Sequence, residues 1–308
     1  MILIKIFKAL GDETRLRIVR ILKDGSFTVN EIIFIISGRQ SNISHHLKIL
    51  LDAEVVESKK EGSWIYYRLS AVFRSSVKDW IFTFLNNDIS GVSDSIGDDR
   101  RVDVIYQKRK SIAMEYFSSI DDDDEKKLFS FMNSIFSSAD IGSILSGKFD
   151  TIADIGCGNG RNLPVLAQYA DCVIGVDSSA RMLQFAEHIC IENGLTYKLE
   201  VADITELPFM NNEIGGVLIN MVLHHLAVPL VALKEVTRVL QPNGKLFLVE
   251  FLPHHNEGLR DTHADLWLGF TEDEISGWVK ESGLDVLKTE IKEHQGYRIL
   301  ILIGQKPV

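Results

Sequence analysis

The stretch TIADIGCGNG, residues 151–160, runs an apolar strand into three glycines within five residues and opens a long alternation of apolar runs and amphipathic segments. CVIGVD, KLEVAD, GGVLIN and KLFLVEF follow, with helical patterns from about Arg161, from Ala180 and over about residues 230–240. Apolar strands alternating with helices predict a parallel sheet covered on both faces. The alternation stops at LDVLKTEIK and YRILILIGQK. Only a few residues around His294-Gln295-Gly296 separate them, too few for a crossover helix, so the last pair is expected as an antiparallel hairpin at the sheet edge. Seven strands are predicted, the last of them antiparallel.

That sheet leaves the first third of a 308-residue chain unexplained, and two domains are expected at this length. From Phe7 to Ser70 the pattern is three short helices, the third over Gln40 to Leu51, and then a hairpin of VVESKK and WIYYRLS around Glu61-Gly62-Ser63. Three helices and a hairpin predict a winged helix-turn-helix, mainly α with a β-hairpin wing. Val72 to Leu85 adds an amphipathic helix that could pack on its own domain or the one that follows; the expectation is that, with ILIKIF at the N-terminus, it forms a homodimer seam. The expected organisation is a DNA-binding and dimerisation domain over residues 1–85, a polar linker over 86–105 (NNDISGVSDSIGDDRR and the residues after it), and an α/β domain over 106–308. The acidic run Asp121 to Asp124 reads as a solvated helix start.

The net charge of −10 is uneven: residues 1–70 carry +3 and the remainder −13, which suits a DNA-contacting end joined to an acidic body. The N-terminus lacks the layout of a secretory signal, and no apolar run is long enough to span a membrane, so a cytoplasmic protein with no membrane partner is expected. Cys157, Cys172 and Cys190 are too few and too scattered for a disulfide framework or a zinc site.

In an open α/β sheet, ligands sit beyond the C-terminal strand ends, and the first strand-to-helix turn carries the glycines. Gly156, Gly158 and Gly160 let backbone N–H groups approach a ligand closely, and a helix start after them favours negative charge. Asp154, two positions before the first glycine, suits a cationic amino group. Asp177 ends the second strand, where a carboxylate can accept from both ribose hydroxyls; Asp203 ends the third, placed to accept from an adenine amino group, with Ile204 against the ring. Any one strand-end aspartate also serves as a cap or turn former. Asn220, His224 and His225 follow the fourth strand, where a histidine near its ordinary pKa could orient or deprotonate a nucleophile; the paired histidines could equally just close the strand.

ADIGCGNGR, VIGVDSS, VADITELPF and LQPNGKLFLVE together resemble the motifs of class I S-adenosylmethionine-dependent methyltransferases, over Thr151 to about Gly283. The resemblance implies a Rossmann-like fold and S-adenosylmethionine or S-adenosylhomocysteine as cofactor. It implies the methionine part beside the glycines, ribose at Asp177 with Ser178 and Met182 nearby, and adenine at Asp203. The family's usual Phe-Asp before the fourth strand is replaced by Ile214-Gly215, a departure in sheet packing.

FKALGDETRLRIVRILKDG and SNISHHLKILLDAEVVESKKEGSWIYYRLS resemble ArsR-type winged-helix repressors over residues 7–70. The resemblance implies a double-stranded DNA operator. It places Arg39, Gln40, Ser41, Asn42, Ser44 and His45 toward the major groove, His46 and Lys48 toward backbone or core, and Lys59, Lys60 and Arg68 at the wing and phosphates. Adjacent helical residues such as His45 and His46 point about 100° apart and chelate one ion poorly. Thr28, Val29 and Asn30 stand where metal-sensing relatives carry a Cys-Val-Cys box, so no metal is expected. Fusions of the two domain types resemble regulators of the methionine and S-adenosylmethionine cycle. The chain is expected to be a regulator whose methyltransferase-like domain binds the adenosyl ligand as effector. The alternative is a small-molecule methyltransferase with an autoregulatory DNA-binding domain. Arsenite methylation is disfavoured, since the three cysteines do not cluster.

Overall fold

The computed structural model describes residues 2–23, 25–74 and 94–308, and the chain divides into two compact units, Met1–Arg109 and Lys110–Val308. Among the described residues no helix is long and apolar enough to cross a membrane.

The first unit is a winged helix. Helices α1 (Ile2–Leu10), α2 (Glu13–Ile21), α3 (Val29–Ile36) and α4 (Gln40–Asp52) accompany a sheet of β1 (Phe27–Thr28), β2 (Val56–Glu61) and β3 (Trp64–Leu69) in the order β1-β3-β2. The N-terminal ILIKIF, expected only as part of a seam, is thus a helix of its own. Local chemistry sets the boundaries. Asp12 caps α2 by accepting from Arg15 N at 3.0 Å, and Thr28 and Glu31 form a capping box at the start of α3. Left-handed Ser37 (φ 56°) ends α3, and the chain enters α4 within three residues. Ile18, Leu22, Phe27, Ile32, Ile35, Ile43, Leu50 and Phe73 are fully buried in the core that fixes α4 against the rest. Most of the expected seam over Val72 to Leu85 lies outside the described residues.

Helix α5 (Ser95–Ser119) runs through residues 95–105, which composition alone assigns to the linker. The reason is a buried carboxylate. Asp98, with no exposed surface, accepts from Arg17 Nε and Nη2 at 2.7 and 2.6 Å and from Arg101 Nη2 at 2.8 Å. Farther along, Arg109 Nη2 donates to both oxygens of Glu31 at 2.9 Å and to Ser26 O at 3.1 Å. An Asp-rich segment reads as solvated until arginines distant in sequence partner it. The remaining linker residues, 86–93, are outside the described residues.

The second unit begins with the end of α5, α6 (Asp122–Ile135) and α7 (Ser138–Ile144). Asp121 caps α6, accepting from Asp123 N and Asp124 N at 2.9 and 2.8 Å, so the acidic run starts a helix. There follow β4 (Phe149–Ile155), α8 (Leu163–Leu166), β5 (Ala170–Asp177), α9 (Ala180–Glu192), β6 (Tyr197–Val201), β7 (Ile214–Asn220), α10 (Pro229–Val239), β8 (Leu240–Phe251), α11 (Gly258–Thr262), α12 (Glu272–Glu281), β9 (Asp285–His294) and β10 (Tyr297–Gln305). The seven-stranded sheet has the order β6-β5-β4-β7-β8-β10-β9, with β10 antiparallel to both neighbours, as the closing hairpin requires. Every residue of β7 is buried, as in a strand covered on both faces. The order reverses between β4 and β7, and a crevice at such a switch point is where these folds receive ligands.

Candidate functional site

At the end of β4 the chain makes the turn Gly156-Cys157-Gly158-Asn159-Gly160, its glycines at φ 76°, 54° and 79°. Left-handed backbone of this kind favours glycine, and space demands it as well: a Cβ would stand 2.5 Å from Val222 Cγ2 at Gly156 and 2.7 Å from Ala186 Cβ at Gly160. Gly156 N and Cys157 N donate to Val176 O at 2.8 and 2.9 Å, tying the turn to the end of β5. Gly158 N then donates to Asp177 Oδ2 at 2.9 Å and Ser179 N to Oδ1 at 2.8 Å, which fixes the carboxylate at the strand end. The helix after the turn differs from expectation. It is a single turn starting at Leu163, because β5 begins at Ala170, so the expected helix-start preference for negative charge has little to rest on here.

Asp154 is 1% exposed, and among the described residues only one of its oxygens has a partner, Asn162 Nδ2 at 3.5 Å; Oδ1 has none. Burial pushes this carboxyl up to about 7 against the lowering effects of the Asn162 contact and the Arg161 charge. Asn220, at the end of the neighbouring β7, likewise has a buried Oδ1 without a partner among the described residues. Burial also raises Asp177, while the N–H groups of Ser179, Gly158 and Ser178 act against the rise. Ser178 is exposed; Met182 is buried with Ile120 and Leu128, and Ile204 is buried. Asp203 is already partnered. Lys110 Nζ lies 2.5 Å from Oδ2, and Thr205 N and Oγ1 donate to Oδ1 at 2.7 and 2.6 Å. Burial raises Asp203, but these partners outweigh it and hold the carboxyl below its ordinary value.

His224 and His225 form a short 3-10 turn with Leu223. His224 Nδ1 lies 2.6 Å from Glu250 Oε1, and Glu250 is itself held by the N–H groups of His224 (3.2 Å) and Phe251 (2.7 Å). His224 Nε2 lies 3.6 Å from Asp265 Oδ1; His225 Nδ1 lies 4.0 Å from the same oxygen and 3.3 Å from Ala264 O. The loop carrying Asp265 is pinned to this turn, since Leu266 N and Trp267 N both donate to His224 O. Burial would lower His224, but Glu250 and Asp265 outweigh it and raise the imidazole to about 9. His225 is pushed far down by burial and by His224. The two adjacent rings are thus shifted in opposite directions, His224 upward and His225 downward. Glu250 and Asp265 were not singled out from the sequence. The available signal is a lone acid, Glu250, inside the apolar run LFLVEF, and the structure buries it fully.

On α4 the structure separates the two faces. Arg39, Gln40, Ser41, Asn42, Ser44, His45 and Lys48 are exposed, whereas Ile43, His46, Leu47 and Leu50 are buried. His46 faces the core with Nδ1 3.6 Å from Asp12, and burial lowers its pKa. On the wing Lys60 is exposed, while Lys59 pairs with Glu61 and Arg68 with Glu57, each at 2.7 Å.

Comparisons with known proteins match the two units separately. Residues 12–58 match the profile described as bacterial regulatory protein, arsR family, and residues 153–248 match that described as methyltransferase domain. The transcriptional repressor SdpR of Bacillus subtilis is 37% identical over 81 residues, 26% of this chain and 90% of that protein. The demethylmenaquinone methyltransferase of Tropheryma whipplei is 31% identical over 103 residues, 33% of this chain and 42% of that protein, so the match spans less than half of that enzyme. Among solved structures, the 1,6-didemethyltoxoflavin-N1-methyltransferase of Burkholderia thailandensis shares the fold with a TM-score of 0.51, at 18% identity, over 67% of this chain and 90% of that one. A repressor's winged helix therefore precedes a class I methyltransferase fold, and the chain belongs to the arsR family of bacterial regulatory proteins.

Proposed function

We propose that this regulator binds S-adenosylmethionine or S-adenosylhomocysteine in its methyltransferase domain, and that the ligand sets its affinity for operator DNA. The observation that carries the reading is the buried Asp154 oxygen without a partner among the described residues, beside a glycine turn hydrogen-bonded to a strand-end aspartate. A buried carboxylate left unsatisfied costs free energy that a cationic amino group recovers. Asp177 keeps acceptor capacity on both carboxylate oxygens beyond the N–H groups of Gly158 and Ser179, and ribose hydroxyls are assigned to it. Asp203 and Ile204 are assigned the adenine, with Ser178, Met182 and Asn220 lining the cradle, and the ligand must share Asp203 with Lys110. When the sulfonium form is bound it supplies an electrophilic methyl group.

Lys110 sits on α5, next to Arg109, whose guanidinium holds the Glu31 of the α3 capping box. The ligand alters DNA affinity only by binding the DNA-competent and incompetent states unequally. In the DNA-bound state Arg39, which precedes α4, and the exposed α4 residues Gln40, Ser41, Asn42, Ser44 and His45 read bases, with Lys48, Lys60 and the partly paired Lys59 and Arg68 on phosphates. The chain acts as a homodimer, in keeping with exposed Leu3 and Ile4 on α1; a sedimentation mass of one chain contradicts that part.

Titration calorimetry with both adenosyl ligands tests the cradle. Asp177→Ala is expected to weaken binding by about 3 kcal/mol, roughly 100-fold, by removing an acceptor pair. Its ligand-free DNA affinity should be unchanged. Ligand affinity equal to wild type would remove Asp177 from the site. Methyl transfer to a small molecule is the second reading, favoured by the buried polar groups around His224. Release of S-adenosylhomocysteine in the presence of cell metabolites supports it, and a rate equal to the blank rejects it for those acceptors.

A further inference from the structure

We propose that His224, His225 and Asp265 form a binding site for a divalent first-row transition metal ion of the iron-to-zinc kind, with Glu250 orienting His224 from behind. The starting observation is Asp265. Its side chain is 2% exposed, and neither carboxylate oxygen has a hydrogen-bond partner among the described residues. Buried carboxylates are satisfied by hydrogen bonds, paired charges or metals. The nearest imidazole nitrogen, His224 Nε2, stands at 3.6 Å, beyond hydrogen-bond range.

Candidate ligand atoms of the three residues all lie within 4.8 Å of one another. Ligands about 2.0–2.2 Å from a tetrahedral ion stand roughly 3.3–3.6 Å apart. The His224 to Asp265 separation already meets that spacing. The rest of the gap falls to His225, whose Nδ1 lies 4.0 Å from the same Asp265 oxygen and would exchange its 3.3 Å contact with Ala264 O for the ion.

The surroundings of the cluster match what a metal site needs. A ligating histidine characteristically presents its second nitrogen to a carboxylate, which fixes the ring and raises its basicity. His224 Nδ1 does so to Glu250 at 2.6 Å, and Glu250 is locked in turn by two backbone N–H groups. The two segments are preassembled, because Leu266 N and Trp267 N hold the Asp265 loop to His224 O. Two imidazoles and one carboxylate favour iron, cobalt, nickel or zinc over magnesium or calcium, which prefer all-oxygen shells. Three protein ligands leave at least one coordination position open. Nothing in this site depends on the adenosyl cradle, so either reading can fail alone.

The test uses the full chain, stripped with a chelator and titrated with Co(II) and Zn(II). One equivalent of Co(II) should bind with a visible d–d band that Zn(II) abolishes. Asp265→Asn and His225→Ala should each remove the band, Glu250→Gln should weaken affinity by about 10–100-fold, and His188→Ala, at an exposed position of α9, should change nothing. Circular dichroism reports whether each variant folds. X-ray absorption of the zinc-loaded wild-type chain, which needs no variant, should show imidazole and oxygen ligands. The assignment is overturned if the stripped chain takes up neither metal at micromolar concentration. It is equally overturned if binding survives in folded Asp265→Asn and His225→Ala, or if the absorption spectrum shows no imidazole.

Discussion

Asp98 and Asp154 are two aspartates with almost no exposed surface, one in each unit, and they are satisfied very differently. Asp98 accepts three hydrogen bonds from Arg17 and Arg101. Among the described residues Asp154 has a single 3.5 Å contact and an oxygen with no partner. Burial alone therefore does not separate structural from functional carboxylates; the completeness of their partners does. Asp98 knits α5 to the winged helix, whereas Asp154 retains the capacity to accept a ligand.

The sharpest way to break this contrast is to delete each carboxylate. Asp98→Ala leaves the Arg17 guanidinium half-buried without its main partner, and breaking a buried pair in this way costs about 3–5 kcal/mol. Chemical denaturation of the first transition reads that loss. A change below about 1 kcal/mol would mean that Asp98 is as dispensable to the fold as a surface charge.

The recognition face of α4 should behave in the opposite manner. Asn42→Ala is expected to cost about 1–3 kcal/mol in specific DNA affinity, with stability within about 0.5 kcal/mol of wild type because the side chain is exposed. Binding isotherms on operator and scrambled DNA separate the two effects. An equal loss on both sequences would assign Asn42 to the backbone rather than to a base.

For Asp154 the contrast can be sharpened with pH. Its folded pKa of about 7 lies above the unfolded value of about 4, so the folded chain holds the proton more tightly. In the ligand-free protein this raised group favours the fold at low pH, and the contribution falls as pH rises from about 4 to about 7. A ligand bearing an amino cation needs the ionised form, so its affinity should drop by up to about tenfold per pH unit below 7. Asp154→Asn should flatten both slopes in calorimetry and thermal melts. An affinity that stays level from pH 7 to pH 5 would remove the amino group from Asp154.

What the sequence makes legible follows the range of the interactions. The alternation of strands and helices, the closing hairpin and the two faces of α4 are periodic over a few residues, and the structure has each of them. The glycine turn with Asp177 is nearly as local, since its partners flank one β-α-β unit. Long-range pairs left no such trace. Helix α5 passes through residues that read as linker because Arg17 lies 81 positions from Asp98. His224 was visible, but Glu250 lies 26 residues away and Asp265 in yet another loop, so a pair that reads as an acid-base candidate becomes a buried cluster only in three dimensions. Lys110 on Asp203 was equally hidden.

The central claim, that occupancy of the cradle controls DNA binding, is tested most directly by fluorescence anisotropy of the full chain on its own upstream DNA. The titration is run without ligand and with saturating S-adenosylmethionine or S-adenosylhomocysteine. The account predicts that at least one ligand shifts DNA affinity by about fivefold or more, the scale of a typical coupling free energy, and that Asp177→Ala abolishes the shift. DNA affinity unchanged by either ligand, with calorimetry showing both bound, would contradict it.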